Sequence, residues 1–352
     1  MKKILYGTTA LVAASLVTAG AASAAERIKI KVGGYYQALF AVTDQDRISP
    51  ATTEFRNTAV EQEGEIHFKG ETTLDNGLTV GVQVQLENRS VGDQIDEHYV
   101  YLEGGWGRFV IGAENSAAYL TGNWAPSAVV GHGVDSPNFS RHVFIGSARS
   151  TTAITRTSDA NKVTYYTPRL GGFQLGGSYT PEASRRGGHG RNFGVVAENA
   201  QVDDIFEIGG NFKQSWDEVS FTLTGGYLIA NNAPNNPDSN DWRVGAEVGF
   251  GGFTIGGSYS DIDGDGFAAQ GNDTETFSIG ATYGTGPWTF GVGFLQSDVE
   301  NQRDEYSAIE LGGSYALGPG VTVSSGVQIQ ESKDATRKSE SVTGALIIGI
   351  GF

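Results

Sequence analysis

From about residue 27 to the C-terminus, apolar residues alternate with polar or small ones. In the last segment Val342, Leu346, Ile348, Ile350 and Phe352 share one parity with Gly344, while Ser341, Thr343, Ala345, Gly349 and Gly351 share the other. A period of two marks a strand with two unlike faces. The same alternation runs through Ile28-Ile30-Val32-Tyr36-Phe40, Leu78-Val80-Val82-Val84-Leu86, Val219-Phe221-Leu223-Tyr227-Ile229 and Trp242-Val244-Ala246-Val248-Phe250. Followed along the whole chain, it predicts sixteen strands, over 27–43, 63–74, 78–88, 95–104, 107–113, 161–168, 172–180, 203–214, 218–229, 241–250, 252–260, 274–284, 287–297, 304–317, 320–331 and 339–352.

The connections between these segments fall into two alternating classes. Short ones such as Asp75-Asn76-Gly77, Gly105-Trp106, Gly251, Thr285-Gly286 and Gly318-Pro319 hold the residues that tight hairpin turns favour. Long ones occupy 44–62, 89–94, 114–160, 181–202, 230–240, 261–273, 298–303 and 332–338. A soluble sandwich has no reason to keep all its short turns at one end, whereas a transmembrane barrel has short turns on one side, long loops on the other and an even strand number. Each strand also offers only one apolar face. In lipid that face points outward and needs no second apolar layer. Aromatics such as Tyr165, Tyr179, Phe212, Phe250, Phe253, Tyr283 and Trp288 gather near strand ends, where interfacial girdles lie. The expected fold is therefore all-β: an antiparallel transmembrane barrel of sixteen strands with short periplasmic turns and long external loops.

Lys2 and Lys3 precede an apolar run over Ile4 to Thr18, followed by Ala22-Ser23-Ala24, the arrangement of a cleaved secretory signal peptide. Residues 1–24 are thus expected to be the leader and 25–352 the barrel. Removing Lys2 and Lys3 with the leader takes the formal charge from −16 to −18. That acidic balance argues against a nucleic-acid partner, which requires a basic face. With no cysteine, a disulfide framework, a thiolate zinc site and a Cys nucleophile are all excluded. The motifs of a Ser hydrolase, a zinc protease, a P-loop or a dinucleotide fold are missing, so an enzyme is not expected and no cofactor is required.

Two stretches carry a family resemblance. Asn161 to Phe173 (NKVTYYTPRLGGF), followed by Tyr179, is similar to a strand-turn-strand signature of Gram-negative general porins. Tyr99 to Gly107 (YVYLEGGWG), ending at Gly112, is similar to a second one, with Tyr101 in its Gly position and Trp106 in its Phe position. Phe352 supplies the terminal aromatic residue expected of a strand handled by the outer-membrane assembly machinery. The resemblance spans the whole mature chain, although the third loop lacks a PEFG-like signature. It implies a homotrimer in the cell outer membrane of a Gram-negative bacterium, in contact with lipid and lipopolysaccharide. Its third loop, 114–160, would fold into the lumen, and small hydrophilic solutes and ions would pass. A substrate-selective channel and a non-conducting surface barrel or adhesin are the alternatives. A near-repeat, FQLGGSY at Phe173, FTIGGSY at Phe253 and IELGGSY at Ile309, has no fixed period and is a strand idiom. Its glycines are expected to face lipid or a neighbouring strand.

Sixteen strands leave a water-filled lumen. Its candidate lining on the inward parity is Lys29, Lys31 and Gln37, then His67, Lys69 and Glu71, then Gln83, Gln85 and Glu87, followed by Arg108, Glu207, Arg243, Glu247, Glu310 and Gln328. As a constriction loop, 114–160 would set Glu114 and Asp135 opposite the basic wall residues, giving a transverse field across the pore. The net charge predicts a mild cation preference. Asp261, Asp263 and Asp265 match the first half of a calcium loop, but the twelfth position is Asn272 and not the bidentate Glu. The spacing therefore admits at most a weak calcium site, and a hydrated acidic loop is the plainer reading.

Overall fold

The computed structural model describes residues 27–46, 54–88, 94–140, 142–183, 203–231, 238–264 and 272–352. The expected leader lies outside them. Among the described residues there are sixteen strands: β1 Lys29–Gln45, β2 Thr58–Thr73, β3 Thr79–Glu87, β4 Ile95–Gly104, β5 Gly107–Ala113, β6 Asn161–Tyr166, β7 Phe173–Glu182, β8 Asp203–Trp216, β9 Val219–Asn231, β10 Ser239–Phe250, β11 Phe253–Ile262, β12 Thr274–Thr285, β13 Trp288–Val299, β14 Glu305–Gly318, β15 Val321–Lys333 and β16 Lys338–Gly351. Each pairs antiparallel with its sequence neighbours, and β1 pairs with β16 to close the barrel. Tight turns collect at one end. At the turn after β10, Gly251 and Gly252 adopt φ of 53° and 86°, in the left-handed region that a Cβ disfavours.

The two parities separate as the pattern predicts. Outward residues such as Ile30, Val60, Leu175 and Leu311 are more than half exposed, which in water would be a very large apolar surface and in hydrocarbon is the required one. Aromatic pairs ring the turn end, with Phe173 and Phe212 centroids 4.5 Å apart, Phe253 and Tyr283 4.5 Å, and Trp288 and Tyr315 4.6 Å. Toward the loop end stand Trp242 and Tyr259, 5.3 Å apart, and Tyr179 and Phe206, 4.9 Å apart. Along β10, Trp242 and Phe250 are separated by about 26 Å of strand at ~3.3 Å per residue. The girdles thus bracket a hydrocarbon-sized belt.

Two departures from the expected strands matter. β2 begins at Thr58 and not at 63, because Val60 and Gln62 continue its outward parity. β5 and β6 have only seven and six residues, because the chain leaves the wall after Ala113 and returns at Asn161. The intervening segment enters the barrel and opens with a single helical turn, α1 Ala117–Leu120, capped by Ser116, whose Oγ accepts from the Tyr119 amide. The apolar clusters of the interior form between this segment and apolar residues on the inward parity. Val129 and Phe139 pack with Leu39, Ala41, Ala345 and Ile347, and Ala118 and Ile154 pack with Ile205, Leu228, Ala230 and Ile262.

Candidate functional site

The long segment makes two passes across the inner wall. On the outward pass it runs along a track of inward glycines. A Cβ at Gly176 would lie 2.9 Å from the Ala117 Cβ, one at Gly226 3.1 Å from the Ala118 carbonyl, one at Gly291 2.9 Å from the Ala128 Cβ, and one at Gly326 2.7 Å from Val129. Gly131 then reaches Gln37 on β1. The LGG idiom is explained differently from its sequence reading. In each repeat the first glycine faces inward, and at Gly176 and Gly312 it seats the loop, while Gly256 lies against the Glu247 side chain. Only the second glycine faces outward.

The return pass lies nearer the loop end and is held by polar clasps. His142 lies with Nδ1 2.9 Å from Ser341 Oγ and Nε2 2.8 Å from Ser332 Oγ. The Ser147 amide and hydroxyl donate to Asp304, and the Arg149 amide donates to Ser297. Arg156 forks onto Asp241, with Nη2 to Oδ1 at 2.7 Å, and Thr157 donates to Glu207 at 2.7 Å. The last clasp is Lys162 on β6. Its buried ammonium donates to the carbonyls of Glu114, Ser158 and Ala160, tying the first and last residues of the loop together.

This course covers the inner wall from β7 to β16 and the loop end of β1. On the remaining wall the charged side chains of Lys29, Lys31, Lys69, Glu71, Glu103 and Arg108 stay accessible, whereas Gln85, expected to line the lumen, is buried and donates to Glu97. His67 also projects inward, with Nε2 2.7 Å from Glu65. Arg108 sits over the Tyr101 ring at 4.3 Å and Lys69 at 5.6 Å, and the Tyr101 hydroxyl donates to Glu71 at 2.7 Å. Tyr101 fits because Gly81 opposite it has no side chain.

Several of the expected pore residues are placed otherwise. Arg243 is 1% exposed: the loop covers it, its Nη2 donates to the Asn123 carbonyl, and its guanidinium lies 5.2 Å from the Trp124 ring. Asp135 is buried because its carboxylate accepts from the Thr152 amide and hydroxyl and from Ser278 on the wall, so it anchors the loop, and its basic neighbours are the buried Arg243 and the loop's own Arg149. Glu114 is buried beside Tyr99 and Glu97, and burial pushes its carboxyl above the usual range. The two acids thus act on Arg108 and Arg243 from buried positions and not from an exposed loop face. Among the described residues, the exposed loop side chains are neutral, among them Leu120, Ser127, Ser136, Asn138 and Ser140. Glu207, Glu310 and Gln328 are buried behind the loop, whereas Glu247 projects inward below it, half-buried.

The expected lining residue Glu87 lies at the loop end of the open wall with two inward acids that were not among the candidates, Glu63 and Glu65. Glu63, Glu65 and Glu87 bring carboxylate oxygens within 4.8 Å of one another, and Tyr35 donates to Glu65 at 2.8 Å. Parity could have found Glu63 and Glu65, since they share a face with His67 and Lys69. Two of the three carboxylates of the calcium motif are described. Asp261 is an outward residue of β11 opposite Glu275, Asp263 accepts from the Asn240 amide, and Asp265 lies outside the described residues.

The sequence profile of a family described as Gram-negative porin matches residues 7–335. Relatives in Rickettsia typhi and Rickettsia prowazekii, both described as uncharacterized proteins, are 22% identical over 220 and 219 residues. Each alignment covers 47% of this chain and 49% of the relative, so the chain spans about half the length of the curated relatives it matches. Among solved structures, the anion-selective porin from Comamonas acidovorans superposes with a TM-score of 0.62 at 16% identity, covering 92% of this chain and 100% of that one. In-vitro-folded OmpT of Vibrio cholerae, in its trimer form, gives 0.63 at 11% identity, covering 93% and 100%. At these identities the likeness is one of fold.

Proposed function

Because the chain belongs to the Gram-negative porin family, we propose that it is a general diffusion channel of the outer membrane, passing small hydrophilic solutes and ions with a mild preference for cations. The observation that carries this reading is the lane left between a neutral loop face and the charged wall of β1 to β5. A lumen bounded by the accessible Lys31, Lys69, Glu71 and Arg108 is wet, and the wall it presents among the described residues is charged and not apolar. Lys29, His67 and Glu247 complete the proposed lining. The formal charge of −18 on the mature chain and the carboxylates Glu63, Glu65 and Glu87 favour cations at the loop end, the external one. Export through a cleaved leader at 1–24, assembly as a homotrimer and contact with lipopolysaccharide belong to the same proposal.

Purified protein in a planar bilayer is expected to give stepwise ohmic conductance in 1 M KCl and a cation-side reversal potential in a KCl gradient. Conductance that a single solute class blocks would favour a substrate-selective channel. An inserted barrel without conductance would favour a surface role and overturn the porin reading.

A further inference from the structure

Charge on the open wall is sorted along the pore axis. On β2, Glu65 precedes Lys69 by about 13 Å of strand at ~3.3 Å per residue. Toward the loop end Glu65 stands directly opposite Glu87, with Glu63 in the same cluster. Toward the turn end Lys31 stands directly opposite Lys69 with Glu71 bridging them, and Arg108 lies beside Glu103 and shares the Tyr101 ring with Lys69, so that cations outnumber carboxylates at this level. Like charges directly opposite in a sheet are destabilising. Glu71 relieves this repulsion at the turn end, where one carboxylate stands between two ammonium groups. The loop facing it adds no exposed charge among the described residues.

We propose that this wall is an axial charge junction, an acid belt of Glu63, Glu65 and Glu87 above a basic band of Lys31, Lys69 and Arg108, which makes ion flow directional. The proposal rests on the channel reading above. The belt holds mobile cations and the band holds mobile anions. When the loop side is positive, cations enter through the belt and anions through the band, both accumulate between them, and current is high. At the opposite polarity both are drained from the junction and current falls.

The test is single-channel recording of the full-length protein. The orientation of each channel is fixed by a Thr336→Cys tag on the loop between β15 and β16, closed from one chamber with an impermeant maleimide; the chain has no other cysteine. Wild type is expected to pass about twofold more current with the loop side positive in 0.1 M KCl, where the screening length is ~10 Å. The ratio is expected to approach one in 1 M KCl, where that length is ~3 Å. Glu63→Gln/Glu65→Gln/Glu87→Gln and, separately, Lys31→Gln/Lys69→Gln should each abolish the asymmetry while moving the reversal potential in opposite directions. A conducting wild type with equal currents at both polarities in 0.1 M KCl overturns the junction, as does an asymmetry that survives in both variants. A wild type that inserts and does not conduct overturns the channel reading itself.

Discussion

Lys162 gives one ammonium to three carbonyls that belong to opposite ends of the loop, Glu114 on one side and Ser158 and Ala160 on the other. Lys162→Met keeps the bulk of the side chain but leaves these buried acceptors without a donor, a loss of roughly 1–3 kcal/mol per unmet group. The expected outcome is a folded barrel with a noisier open state and more frequent closures in single-channel records; traces as quiet as wild type would remove the clasp from the account. His142 is the acid-sensitive counterpart. Burial pushes its imidazole down to about 4, so the docked loop holds it neutral between two serine hydroxyls. Because the docked state binds fewer protons than the released one, docking is at full strength above about pH 6.5 and weakens as pH falls toward 4, by roughly 1.4 kcal/mol per pH unit crossed. His132, also pushed down by burial, changes in the same sense. Recordings at pH 7.5 and 4.5 should therefore show closures rising in acid, and His142→Gln should flatten that dependence. An unchanged pH response in the variant would assign it elsewhere.

At the scale of the element, the constriction loop is seated by glycines on the wall, and this makes its position sensitive to residues that never touch the lane. Gly291→Leu would drive a side chain into Ala128, whose Cβ and amide lie 2.9 and 3.0 Å from the position of the new Cβ. The loop has to move toward the open wall, and conductance is expected to fall. Gly284→Leu, two positions beyond Thr282 on the same inward face of β12 and with its nearest atoms at 3.9 Å, should leave conductance unchanged; equal effects from the two would argue against seating. Strands and parity were legible in the sequence, because alternation is a property of each segment by itself. The sixteen segments, the inward Lys31 and Lys69 and the outward aromatic girdles all follow from it. What was not legible is which inward residues the loop would cover. Arg243 and Lys69 satisfy the same parity rule, yet one is buried under Asn123 and Trp124 while the other faces water. Contacts between positions more than a hundred residues apart decide that, and no periodicity encodes them. The inward glycines were the available signal. The idiom itself places one glycine on each face, and it is the first of the pair, sharing its parity with the inward Ser178, that meets the interior.

The whole barrel is uneven in height, and the low sector bears on assembly. β5 and β6 have seven and six residues where a strand needs ~9–11 to cross a bilayer. Above them the chain has turned inward at Glu114, so the wall between β4 and β7 is notched on the loop side. Lipid cannot satisfy strand backbone at such an edge, since hydrocarbon supplies no hydrogen bonds. A protein surface can, and three subunits meeting through their low sectors would cover it in each copy. Outward Ile111, 53% exposed on β5, then faces a neighbour, while Leu317, 61% exposed near the turn end of β14, faces lipid headgroups. An Arg at girdle depth costs only ~0–1 kcal/mol against lipid, so Leu317→Arg is expected to leave the oligomer intact. In the proposed homotrimer Ile111→Arg would place a charge in a desolvated contact repeated three times, and it is expected to release monomers on native gels in mild detergent. A monomeric wild type, or dissociation by Leu317→Arg and not by Ile111→Arg, would place the notch against something other than a second copy of this chain.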